Sequence, residues 1–84
     1  MRLPTIEHPT GRENFSIVTV GEWSFAFSYR TLVAFLSPEG GWRVCENIWS
    51  TTTGKHLNYL NPDKGSRVPF QEFSRMVEQI EVSL

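Results

Sequence analysis

Hydrophobic and polar positions alternate with period two through the middle of the chain, then switch to a helical period. From Phe15, residues Phe15, Ile17 and Thr19 oppose Ser16, Val18 and Val20, and β-branched side chains dominate. That pattern predicts a strand. Gly21-Glu22 supplies a turn. The clearest alternation follows: Trp23, Phe25, Phe27 and Tyr29 against Ser24, Ala26 and Ser28. A strand puts these sets on opposite faces, so the aromatic set is expected to be buried and the small set closely covered or exposed.

Arg30 marks a bend, and Thr31 to Leu36 is an apolar run suited to a central strand contacted on both faces. Ser37-Pro38-Glu39-Gly40-Gly41 is a strong turn signal. Trp42 to Ile48 returns as a fourth strand, with Trp42, Val44, Glu46 and Ile48 facing one way and Arg43, Cys45 and Asn47 the other. Short turns force antiparallel pairing.

The period changes at Trp49. Ser50 or Thr51 can cap a helix, Leu57 and Leu60 share one helical face, and Asn61-Pro62 stops it. Asp63 to Ser66 reads as a loop. Pro69 suits the first turn of a second helix, in which Phe70, Phe73, Val77 and Ile80 form a stripe and Glu72, Arg75, Gln79 and Glu81 turn outward. The expected fold class is α+β in one domain. It comprises an extended arm over 1–12, a four-stranded antiparallel meander over 14–48, a short helix over 50–61, and an amphipathic helix over 69–82 packed on the aromatic face of the sheet.

Composition narrows the function classes. With 84 residues the chain is near the lower limit for an unstapled core, and its 13% aromatic residues can carry one. A net charge of -1 argues against a polybasic nucleic-acid binder. One cysteine permits no internal disulfide and no cysteine-rich zinc site. No apolar run approaches the ~20 residues that span a bilayer, and the start lacks a signal-peptide pattern. The expectation is a cytoplasmic protein without metal or cofactor, a monomer or an edge-paired homodimer.

The stretch Glu46 to Asn58 holds most of the candidate chemistry. Gly54-Lys55 matches the end of a phosphate-binding loop, but Trp49 replaces the first glycine and His56 the hydroxyl, which removes nucleotide hydrolysis. His8 and His56 have no second ligand at metal spacing, and an exposed helical residue is the simplest reading of His56. Cys45, alternating within a strand, reads as a buried inert thiol; a hydrolase built on Cys45, His56 and Glu46 is the least favoured option. Thr51, Thr52 and Thr53 serve as caps or as phosphate-binding hydroxyls. Arg43, Lys55, Lys64 and Arg67 form a basic middle, with Trp49 and Tyr59 available for base stacking. So few cations imply weak binding of nucleic acid at physiological salt. Trp42 and Trp49, if exposed, suit anchoring of a protein partner.

Three fragments carry a resemblance: Tyr29 to Phe35, Glu46 to Asn58, and Arg67-Val68 with Phe73. Together they resemble a family of small uncharacterised proteins found in phages and other prokaryotic genomes, over roughly residues 24–80. Its signature is a tyrosine-led apolar strand, then a strand ending in an asparagine–tryptophan–serine–threonine–glycine–lysine–histidine block. The resemblance implies a small cytosolic protein, often carried by a phage or mobile element. It implies no activity, cofactor or catalytic residue. The leading expectation is a non-enzymatic, phage-encoded protein that binds a host protein such as a defence component and inhibits it. Accessory nucleic-acid binding through Arg43, Lys55, His56 and Arg67 is the alternative. Candidate binding residues are Asn47, Trp49, Ser50, Thr52, Thr53, Lys55, His56, Asn58 and Arg67; no catalytic or metal site is expected.

Overall fold

A computed structural model describes residues 4–83 and shows an α+β fold with an antiparallel sheet of five strands and two helices. The strands are β1 (Thr5–Glu7), β2 (Phe15–Val20), β3 (Trp23–Ser28), β4 (Thr31–Leu36) and β5 (Trp42–Val44), adjacent in sequence order. Helix α1 spans Thr51–Leu60 and α2 spans Phe70–Ser83, with a 3-10 turn at Lys64–Ser66 between them.

The sheet has one strand more than the meander expected from the sequence. The extra strand lies in the arm: Ile6 pairs with Val18 and Glu7 with Ile17. Three exposed residues give too short a pattern to read as a strand; the free edge of β2 is what orders them. The first three residues of the arm lie outside the described residues. His8 Nδ1, 3.3 Å from Phe15 O and 3.2 Å from Ser16 Oγ, ties the arm back at its end.

The last strand is shorter than expected. It stops at Val44, and Cys45 joins Val68 by an isolated parallel bridge. Glu46 N–H donates to Val68 O and Val68 N–H to Val44 O, both at 2.8 Å. Glu46, Asn47 and Ile48 are exposed. The turn before β5 matches its residues: Gly40 and Gly41 sit at φ 87 and 84, where glycine carries no Cβ penalty.

The register puts Phe15, Ile17, Ser28, Ala26, Ala34 and Val44 on one face, since paired residues share a face. That face packs under α1 through Leu57 and Leu60. Phe25, Trp23, Leu32, Phe35 and Cys45 belong to a second cluster, closed by Phe73, Met76, Val77 and Ile80 of α2. The helices therefore cover opposite faces, and Trp49 touches both clusters.

In β3 the small set is closely covered, one of the two outcomes expected for it, while the aromatic set is less buried than expected. Ala26 and Ser28 are fully buried, whereas Trp23, Phe25 and Phe27 are only half-buried. The small residues leave no bulk between sheet and helix, so α1 can sit close against them. Tyr29 leaves the aromatic row altogether, because it occupies the β3–β4 turn at φ 58 and is 54% exposed.

Candidate functional site

The segment from Glu46 to Asn58 is a junction that turns the chain from β5 into α1. Asn47 starts the turn: its Oδ1 accepts from Trp49 N–H at 3.0 Å and its Nδ2 donates to Ser50 O at 3.0 Å. Ser50 is the N-cap, its hydroxyl accepting from Thr53 N–H at 3.2 Å. Gly54 faces Asn47 so closely that an added Cβ would lie 3.0 Å from Nδ2. The glycine is thus set by the turn and needs no phosphate to explain it.

Beneath α1 a polar chain runs from the exposed Ser50 to the buried Thr53, Ser28 and His56. Ser50 Oγ donates to Thr53 Oγ1 at 3.3 Å, Thr53 Oγ1 lies 2.8 Å from Ser28 Oγ, and Ser28 Oγ lies 2.7 Å from His56 Nδ1. Neutral His56 with its proton on Nε2 lets every hydroxyl donate in one direction, ending on Nδ1. Its ring stacks on Phe15, and Tyr59 meets Phe15 edge-on. Burial pushes the His56 pKa below its usual 6.5. The exposed helical position expected for His56 is therefore corrected: Phe15 covers the ring and Ser28 fixes it. The sequence places Ser28 in the small set of β3 but does not mark it as a partner of Thr53 and His56, because those lie 25 and 28 residues away and no local pattern encodes them.

Two clefts open on either side of this junction. The polar one, about 290 Å³, is lined by Glu46, Asn47, Gly54, Asn58, Lys64 and Arg67. Arg67 Nη2 donates to Asn58 Oδ1 at 3.0 Å and to Asn61 O at 2.9 Å, while Nε is buried without a hydrogen-bond partner. Glu46 Oε2 accepts from Phe70 N–H at 2.7 Å and so caps α2. The apolar cleft, also about 290 Å³, is lined by Thr31, Leu32, Trp49, Phe70, Phe73 and Val77, among others. Trp49 and Phe70 meet edge to face there, 6.3 Å between centroids, and Phe70 is 41% exposed.

The structure brings Asn47, Asn58 and Arg67 together in the polar cleft and puts Trp49 in the wall of the apolar one. Ser50 stays exposed at the cap, and Thr53 and His56 are buried in the chain to Ser28 instead. Thr52 is half-buried, and Lys55 is exposed on α1. The basic residues are not pooled: Arg43 lines a third cleft, with Trp23, Phe35 and Met76 on the α2 side. The Cys45–His56–Glu46 combination is taken apart by the layers, since Cys45 is in the α2-side core and His56 in the α1-side layer. Burial, with the Glu46 carboxylate adding to it, pushes the Cys45 thiol up to about 11. Among the described residues, no group of three or more His, Cys, Asp or Glu side chains could hold a metal, and no helix is long and apolar enough to cross a membrane.

A family model described as a family of unknown function, DUF8033, matches residues 5–75. No curated protein and no solved structure matches the chain.

Proposed function

The chain belongs to the DUF8033 family of unknown function, and we propose that it works as a small non-enzymatic module that binds a partner protein. The observation that carries this reading is the apolar cleft whose wall is Trp49 against Phe70. Aromatic residues held rigidly at the rim of an apolar hollow are typical of interface hot spots. At about 290 Å³ the cleft suits one large anchoring side chain rather than a cofactor. A phage-encoded setting, with a host defence component as the partner, rests on the resemblance carried by the Asn47 to His56 block. The exposed edge at Thr5–Glu7 leaves edge-paired homodimerisation as a second mode of association.

The test is capture from a bacterial host lysate by immobilised wild type and by a Thr31→Lys, Phe70→Lys double variant. The expected result is a discrete protein retained by wild type through a 0.5 M salt wash (an ionic strength at which the Debye length is only about 4 Å) and lost with the variant, whose circular dichroism stays unchanged. Equal retention by both, or no retained protein, overturns the proposal.

Nucleic-acid binding is the weaker reading. Its cations are divided between clefts, Arg67 is held by Asn58 and Asn61, and His56 is buried. Salt-dependent binding of single strands that collapses in a Lys55→Glu, Arg67→Glu variant would restore it.

A further inference from the structure

Thr31 lines two hollows. It belongs to the apolar cleft, with Leu32, Trp49 and Phe70, and it borders a further hollow of about 560 Å³ with Glu13, Asn14, Tyr29 and Arg30. The surface that holds the apolar cleft therefore continues past Thr31 and around the β3–β4 turn.

Tyr29 holds that turn in an unusual backbone. Among the described residues it is the one non-glycine with a positive φ, at 58. A Cβ is strained there, and strain of this kind gathers at ligand clamps and other functional positions. Its N–H donates to Asn14 O at 2.6 Å, which fixes the turn against the start of β2. Packing engages only part of the side chain: the ring centroid is 6.3 Å from that of His56, tilted by 52°, and the residue stays 54% exposed.

Arg30 brings a guanidinium to the same hollow, exposed and without an ion pair among the described residues. Glu13 carries the opposite charge but lies farther from the apolar cleft. It precedes β2, two places from β4 in the sheet, whereas Arg30 adjoins Thr31. A segment that leaves the cleft over Thr31 meets the cation first.

We infer that the partner is held through an extended segment, with a bulky apolar side chain in the Trp49–Phe70 cleft and an acidic side chain against Arg30 beside Tyr29. Arg30 is two positions from Leu32 in the cleft wall, so at ~3.3 Å per extended residue the two side chains are roughly two to four residues apart. This partner chemistry rests on the protein-binding reading and adds the second contact and its charge.

The test is selection from a displayed random-peptide library against immobilised wild type, Phe70→Lys, Arg30→Gln and Tyr29→Asn, each shown to be folded by circular dichroism. Asparagine tolerates the φ of Tyr29, so Tyr29→Asn is expected to keep the turn. Wild type is expected to enrich peptides that pair a large apolar residue with an acidic one at fixed spacing. Arg30→Gln should keep the apolar position and lose the acidic one. Tyr29→Asn should bind the wild-type consensus peptide roughly tenfold more weakly, the effect of one lost aromatic contact at an interface. A consensus with no acidic position, an acidic preference that survives Arg30→Gln, or unchanged affinity in Tyr29→Asn overturns the inference and leaves the protein-binding reading standing. No consensus at all, or one that survives Phe70→Lys, overturns both.

Discussion

The imidazole of His56 lies flat against the ring of Phe15, with centroids 4.6 Å apart and planes 5° from parallel. The same ring takes Ser28 Oγ on Nδ1 at 2.7 Å. A helix from the second half of the chain is thereby locked to strands β2 and β3 by one side chain that is both apolar plate and polar acceptor.

That contact predicts a pH dependence. Burial holds the His56 pKa below its unfolded value of 6.5, so below pH 6.5 the unfolded chain binds more protons than the folded one. The contribution is fully present above pH 6.5 and is lost as pH falls from there through the folded pKa. Protonation also forces Nδ1 to donate to Ser28 and reverses the hydroxyl chain. Urea midpoints measured from pH 8 to pH 5 should fall, with a slope from this group of at most ~1.4 kcal/mol per pH unit. The fall should flatten in His56→Phe; an identical profile in that variant would contradict the assignment.

Ser28→Ala removes the link between Thr53 and His56 while adding no bulk. It leaves the buried Nδ1 unpaired and should cost about 1–3 kcal/mol. Denaturant unfolding measures it. Combining Ser28→Ala with His56→Phe should cost clearly less than the two losses added, because the orphaned nitrogen is gone.

Gly54→Ala should destabilise, although alanine is the better helix former by about 1 kcal/mol. The new Cβ would meet Asn47 Nδ2 at 3.0 Å, and Asn47 cannot retreat without releasing Trp49 N–H and Ser50 O. In an Asn47→Ala background the obstacle is absent, and the same substitution should turn stabilising. A thermal melt of the four proteins in this cycle decides it, since only a clash with Asn47 reverses the sign.

Cys45 should resist thiol reagents in the folded protein. It is fully buried and its pKa is about 11, so at pH 8 roughly one thiol in a thousand is ionised even before access is considered. Labelling by a disulfide reagent should follow the unfolding transition as urea is raised. Rapid labelling in buffer alone would show an opening on the α2 side of the sheet.

What was legible in the sequence was local. Alternation in β2, β3 and β4 needs only neighbouring residues, as does the Phe70, Phe73, Val77 and Ile80 stripe of α2, and those signals give an antiparallel sheet and two helices. The Ser50 cap and the Asn61 stop are also encoded within a few positions. The short β1 strand carried no such signal, since its order comes from the open edge of β2.

The candidate site was only partly legible, for a related reason. The stretch from Asn47 to Asn58 stands out in composition, but composition does not say which side chains point inward. Packing decided that Thr53 and His56 are buried against Ser28, and that Asn47 and Gly54 fit one another. It also divided Arg43 from Arg67 and Cys45 from His56. The sequence by itself determined periodicity, capping and fold class, because those follow from backbone geometry over a few residues. Tertiary structure alone decided which polar residues were absorbed into the scaffold and which were left lining a cleft, because a hydroxyl or imidazole finds its partner across the sheet, at separations no local pattern records.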